Sequence, residues 1–122
     1  MLLVKACAGI SQIHGIGLMA QEFIPQGACV WTLTPDFDVL LGKEQLPSLS
    51  EITQQQVRSY TYFDETRNAY VLSSDDRFTN HADNPNTRKI GDSAYAVKDI
   101  YPDEEITTDY CEWCKENGFL AS

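Results

Sequence analysis

At 122 residues the chain has room for one domain with a real core, and a hydrophobic content of 43% with mixed charge excludes a disordered chain. No apolar run reaches the roughly 18 residues of a membrane-spanning helix. Nine basic against eighteen acidic residues give a net charge of −9, which argues against a nucleic-acid backbone as partner and favours a basic protein, although solubility alone also asks for such a surface.

The first residues, Met1 to Lys5, lack the layout of a signal peptide, so an intracellular protein is expected. Residues 2–7 and 17–22 read as short strands around Gly15-Ile16-Gly17. That tripeptide suits either a hairpin turn or a close approach of backbone to a ligand. The turn Pro25-Gln26-Gly27 leads into an apolar run, residues 28–33, expected as a buried strand. Residues 34–50 are predicted to be loop-rich, with a short apolar patch at Val39-Leu40-Leu41. Ser50 is a suitable N-cap for a helix over 50–58.

Residues 60–63 and 69–73 are expected as strands joined by a polar turn at 64–68. Tyr60, Tyr62, Phe63 and Tyr70 serve equally well as sheet packing or as the wall of an apolar channel. Residues 88–90 and 94–98 form an expected hairpin across Gly91-Asp92-Ser93. Tyr101-Pro102-Asp103 is a turn, Asp103-Glu104-Glu105 reads as a solvated run, and residues 105–110 as a last strand. Many short strands with little helix predict a mainly β, or β-rich α+β, single domain over 1–122.

Cys7 and Cys29 lie among apolar neighbours and read as core thiols. Cys111-Glu112-Trp113-Cys114 is a CxxC, half a zinc site with no second half after it, so no metal is expected. The most specific stretch is Arg77-Phe78-Thr79-Asn80-His81-Ala82-Asp83-Asn84-Pro85-Asn86. Its second half is turn chemistry, and its first half offers an amide and an imidazole. Together they describe either a polar surface loop or a tight turn presenting Asn80 and His81 to a ligand.

This stretch resembles the R-F-x-N-H-x-x-x-P-N signature of the SET-domain protein lysine methyltransferases, through Arg77, Phe78, Asn80, His81, Pro85 and Asn86. A second resemblance, to D-I-x-x-G-E-E-L-T-x-D-Y, runs through Asp99, Ile100, Glu104, Glu105, Ile106, Thr107, Asp109 and Tyr110, with Asp103 where Gly is usual. Gly15-Ile16-Gly17 and then Ile24-Pro25-Gln26-Gly27 look like the family's G-x-G strand and I-x-x-G turn. The three elements keep the family's order across residues 15–110.

The resemblance implies small curved sheets around a pseudoknot that brings Asn80-His81 beside Tyr110. It implies S-adenosylmethionine as cofactor and a lysine of a basic protein, a histone tail among the candidates, as substrate. Tyr110 would orient the amine. Gly15, Ile16 and Gly17 would meet the cofactor's methionine portion, Asn80 would bind it through its amide and His81 mainly through backbone, and Phe78 and Trp113 would pack on it. Tyr62 and Tyr70 would line the lysine channel, beside Thr108, which stands where the family often has Tyr or Phe. A variable substrate-side segment would fall at about 35–60 and a short lid at about 111–122, with a homodimer as another way to complete the channel. The compartment would be cytoplasmic, or nuclear for a histone substrate in a eukaryotic cell. Ala82, in place of a zinc-binding Cys, departs from the pattern, as do Asp103 and Thr108. These departures keep a rival reading open: a catalytically silent SET-like module that binds peptide or cofactor.

Overall fold

The computed structural model describes residues 1–113. In chain order the strands are β1 (Ala6–Ile10), β2 (Ile16–Ala20), β3 (Cys29–Thr32), β4 (Val39–Gly42), β5 (Tyr62–Asp64), β6 (Ala69–Leu72), β7 (Asn80–His81), β8 (Thr87–Ile90), β9 (Ser93–Ala96) and β10 (Glu105–Thr108). A single α-helix, α1 (Glu51–Tyr60), precedes β5 among these residues. Short 3-10 turns cover Lys43–Ser48, Asp75–Phe78 and Tyr110–Glu112.

Three small sheets result, with orders β1-β2-β10-β7, β3-β9-β8 and β4-β6-β5. Within the first, β10 runs antiparallel to β2 and parallel to β7, pairing Thr107 with Asn80 and Thr108 with His81. A late strand thus enters between two earlier ones, and this sets the juxtaposition on which the site depends. Small sheets with a late strand inserted beside Asn80-His81 are the arrangement that the sequence resemblance implies.

Local chemistry explains most elements. Ser50 caps α1 by accepting from Thr53 N, as its residue type suggests. Gly91, at φ +60°, supplies the positive dihedral that a two-residue turn between Ile90 and Ser93 requires. Arg67 bridges Asp64 and Asp92, tying the β5–β6 turn to the β8–β9 turn.

Several boundaries differ from expectation. The first strand begins at Ala6, because β1 pairs residue for residue with β2, and Leu2 keeps only an isolated bridge to Trp31. The apolar patch at 39–41 is a strand, β4, since β6 offers it a full four-residue partner. Tyr60 ends the helix instead of opening a strand, and the last strand stops at Thr108, where Asp109 caps the 3-10 turn by accepting from Cys111 N.

The core joins the sheets. Leu18, Ala20, Ile24, Val30, Ala96, Ile100 and Ile106 form one buried cluster. Ile24 and Ile100 exchange backbone hydrogen bonds at 2.8 Å and are 1% and 0% exposed, so the isoleucines of two separate motifs meet there. Asp99 Oδ1 accepts from Gln26 N at 2.9 Å and closes the Pro25-Gln26-Gly27 turn over this contact. A second cluster of Trp31, Leu33, Val71 and Ala94 joins the other two sheets.

Candidate active site

Asn80 is 6% exposed, and its amide works inward. Nδ2 lies 3.1 Å from Ser11 Oγ, 3.1 Å from His14 O, 3.1 Å from Ile16 O and 2.9 Å from Glu105 Oε2. Two N–H groups are shared among four acceptors, which fixes the orientation of the amide. Ser11 Oγ in turn donates to the Glu105 carboxylate and accepts from Ile13 N and His14 N. The loop carrying Gly15 is therefore held from below by Asn80, Ser11 and Glu105. Gly15, at φ +50°, makes its turn, and open space lies where its Cβ would be. A Cβ on Gly17 would collide with the Glu105 carboxylate, so the glycine there makes room for the half-buried acid.

The Asn80 Oδ1 accepts no hydrogen bond from any described residue. A buried amide oxygen without a donor is costly and calls for a ligand hydrogen at this point.

The other end of the motif holds β10. Asn86 Nδ2 donates to Glu105 O at 2.8 Å, and its Oδ1 accepts from Thr107 N at 2.8 Å, so one amide side chain pairs with β10 as a strand would. Thr87 Oγ1 donates to Thr107 O at 2.6 Å. Beyond β10 the chain turns at Tyr110. Its backbone N donates to His81 Nδ1 at 3.1 Å, which makes Nδ1 an acceptor, while Nε2 faces Asp83 Oδ1 at 3.1 Å. The imidazole thus braces Tyr110, with ring centroids 5.4 Å apart. The Tyr110 hydroxyl donates to Thr79 O at 2.9 Å. With that proton given away, the phenolic oxygen can act on a substrate only as an acceptor.

Tyr110 and Thr108 line a cavity of about 110 Å³ together with Trp31, Tyr62, Val71 and Trp113. Trp31, Tyr62 and Trp113 stand edge-to-face with one another, at centroid distances of 5.2 to 6.0 Å. Trp113 Nε1 donates to Thr108 Oγ1 at 2.8 Å and so fixes the small residue two positions before Tyr110. The Tyr62 phenol is pushed far above its ordinary range, chiefly by burial and further by Asp64, Asp92, Asp38 and Asp76. It remains a protonated donor, and no described residue accepts from it.

The structure brings Tyr62, Thr108, Tyr110 and Trp113 to one cavity, and places Gly15, Ile16 and Gly17 at the start of β2 and Asn80 and His81 on β7, along the two edges of β10. Trp113, expected against the cofactor, lies with the channel aromatics. Phe78 lies outside the cavity, under the Arg77 guanidinium at 4.5 Å. Tyr70 is a correction: it is 6% exposed and packs on Phe63 at 5.1 Å with Leu46 nearby. The register explains it. Tyr62 pairs with Val71 and Phe63 with Tyr70, so the first pair faces the cavity and the second faces away. Glu105 is a second correction, since it is a half-buried hub and not part of a solvated run. Cys114 and most of the expected lid lie outside the described residues.

Sequence reasoning missed Ser11, Trp31, Asp76 and Thr79. Their partners lie up to 94 residues away in the chain, as for Ser11 and Glu105, and no local pattern marks them.

A family model described as the SET domain matches residues 15–111. Among solved structures, the chain is similar to a chain of the Chaetomium thermophilum Polycomb Repressive Complex 2 bound to GSK126, with a TM-score of 0.70 and 21% identity over 97% of this chain. It is similar to the same complex in an autoinhibited conformation bound to S-adenosylmethionine, with a TM-score of 0.65, 22% identity and 97% coverage. It is also similar to a proposed histone methyltransferase of Plasmodium falciparum, with a TM-score of 0.61 and 23% identity over 89% of this chain. The chain spans 17% and 16% of the two Polycomb chains and 95% of the Plasmodium one, and at these identities the likeness concerns the fold. No curated protein sequence matches it.

Proposed function

The chain belongs to the SET domain family, and on that premise we propose that it is an S-adenosylmethionine-dependent protein-lysine N-methyltransferase. The observation that carries this reading is the aromatic cavity in which Tyr62, Trp113, Thr108 and the braced Tyr110 meet. Its bore and its apolar wall suit the aliphatic stem of a lysine.

The residues present fit the cofactor. The orphaned, buried Asn80 Oδ1 suits the ammonium of an aminoacyl group, and the open turn at Gly15 suits close approach of a ligand to backbone. Asn80 with the Gly15–Gly17 backbone would hold the aminoacyl portion, and the His81 strand would adjoin the remainder. The chemistry that S-adenosylmethionine supplies when bound is an electrophilic methyl group on a sulfonium sulfur.

The chain's own residues supply position. Methyl transfer to an amine demands an in-line approach, and holding the amine in a narrow channel is entropic catalysis. Tyr110 OH, its proton engaged by Thr79, accepts from the amine and orients the nitrogen lone pair. The same oxygen can accept weak C–H hydrogen bonds at the transferring methyl. The aromatic wall excludes water and disfavours the ammonium form, as the reaction requires. The chain's net charge of −9 would attract a basic protein, with histone tails as first candidates.

The test is transfer of labelled methyl to a mixture of histones and other Lys-rich proteins, alongside Tyr110→Phe. We expect labelled protein, reduced about 10²- to 10³-fold in the variant by analogy with loss of one preorganised polar group, with cofactor binding retained in calorimetry. Cofactor binding without any transfer would instead favour the silent binding module.

A further inference from the structure

One ionisable group in the cavity has no part in the mechanism above. Asp76 lies in the 3-10 turn Asp75–Phe78 and lines the same cavity as Tyr62, Thr108 and Tyr110. Its carboxylate accepts from the Ser74 hydroxyl at 3.2 Å, while the nearby Ser73 hydroxyl donates its proton to Asp38 at 2.8 Å. Among the described residues it makes no ion pair. The adjacent Arg77 lines the cavity as well, but its guanidinium is stacked on Phe78 and donates to Ser74 O at 3.0 Å. The amino group of Met1, which favours the Asp76 charge, is held by Asp38 at 2.8 Å.

A carboxylate in an apolar wall without a countercharge is expensive, and a cation entering the cavity would relieve it. Burial, outweighing the nearby Ser73 and Ser74 hydroxyls and the Met1 amine, raises the Asp76 carboxyl above its ordinary range, and the neighbouring Asp38 adds to this. Tyr62 and Asp76 line the same cavity. The backbone of the same residue is fixed, since Asp76 O accepts from Thr79 N and Thr79 Oγ1, and Thr79 O in turn holds Tyr110. Carboxylate and catalytic tyrosine are therefore joined through three residues of one rigid turn.

We propose that Asp76 is a substrate-binding carboxylate that receives the ε-ammonium of the target lysine and accepts one of its protons. The inference rests on the methyltransferase reading. A lysine arrives protonated, with an ordinary pKa of about 10.4, and must be neutral to attack. The proton passes from nitrogen to a carboxylate oxygen, leaving a neutral amine and a neutral acid where two charges would otherwise be buried. The amine then forms its new bond to the methyl carbon as the carbon–sulfur bond breaks, and the Asp76 acid returns its proton to water when product leaves. The groups around Asp76 are Ser73, Ser74, Asp38 and the Met1 amine, and Arg77, Tyr62 and Tyr110 line the same cavity.

Both tryptophans of the chain, Trp31 and Trp113, line this cavity, so intrinsic fluorescence reads its occupancy. The full chain is titrated with n-butylammonium and with n-butanol at fixed salt, as wild type, Asp76→Asn and Asp76→Glu. The expected result is about tenfold tighter binding of the ammonium to wild type, lost in Asp76→Asn and kept at least in part in Asp76→Glu. Equal affinity for the two probes, or a preference that survives Asp76→Asn, would overturn the proposal. Methyl transfer to poly-L-lysine is followed in the same samples as a function of pH. The rising limb of the rate should move upward by about one pH unit or more in Asp76→Asn, because the lysine must then lose its proton to water. An unmoved limb would overturn the proton step. If wild type transfers no methyl at all, the methyltransferase reading fails together with the proton step, while the fluorescence arm still decides whether Asp76 is an ammonium site.

Discussion

The two sides of β10 solve opposite problems with similar residues. On one side Asn80, Ser11 and Glu105 bury several polar groups and satisfy them within the chain, leaving only Asn80 Oδ1 without a described partner. On the other, among the described residues, the Tyr62 phenol has no acceptor and the Asp76 carboxylate no ion pair, in a cavity that Arg77 also lines. The first arrangement builds a rigid loop that a ligand can rest on. The second leaves free energy to be recovered only when a polar, cationic chain enters. A satisfied network specifies shape, whereas an unsatisfied one specifies a ligand.

The comparison breaks most sharply at Asn80. Asn80→Ala removes the donor from Glu105, Ser11 and two backbone carbonyls, and should cost about 1–3 kcal/mol in chemical denaturation. It should also abolish cofactor binding in calorimetry. A variant that keeps its stability would show that the network is not the support of the loop. On the cavity side, Thr108→Val deletes the acceptor of the Trp113 indole at nearly constant volume. We expect about 1 kcal/mol of destabilisation and a change in how many methyl groups are added, read by mass spectrometry of product. Unaltered product distribution would dissociate Trp113 from that choice.

Asp76→Asn sharpens the contrast through its pH dependence. A carboxyl raised in the folded state binds its proton more tightly there than in the unfolded chain. Stability is therefore lost as pH rises from the ordinary carboxylate range through the raised value. The amide has no such penalty, so Asp76→Asn should be more stable than wild type near pH 7, and its advantage should shrink towards pH 4. Thermal melts across that range check it. A neutral-pH loss of stability would mean that the carboxylate is structurally satisfied. The smallest effect lies outside both regions. Asp103 adopts φ +71° at the position where the resembled motif has Gly. Asp103→Gly should stabilise by a few tenths to about 1 kcal/mol by relieving left-handed strain, with methyl transfer unchanged.

Much of the site was legible because its residues are concentrated in short motifs. Asn80, His81, Thr108 and Tyr110 could be singled out by resemblance, and the Ser50 cap and the Gly91 turn by local chemistry alone. Tyr70 and Glu105 were misjudged for one reason. Which face of a strand is buried depends on what lies opposite, and the pairing of Tyr62 with Val71 is not written in either segment. The β4 strand was missed likewise, since three apolar residues after Pro35 become a strand only when β6 is beside them.

By itself, then, the sequence determined the family, the order of the short elements, the acidic character and the chemical identity of the residues at the centre. These follow from residue type and local spacing, which fold on scales of a few residues. The tertiary structure alone decided that β10 enters between β2 and β7, that the Asn80 amide faces inward, and that Asp76 stands unpaired in the aromatic cavity. The contacts behind the first two join residues 25 to 94 positions apart. Long-range burial and hydrogen-bond satisfaction select them collectively, and no local pattern encodes that selection.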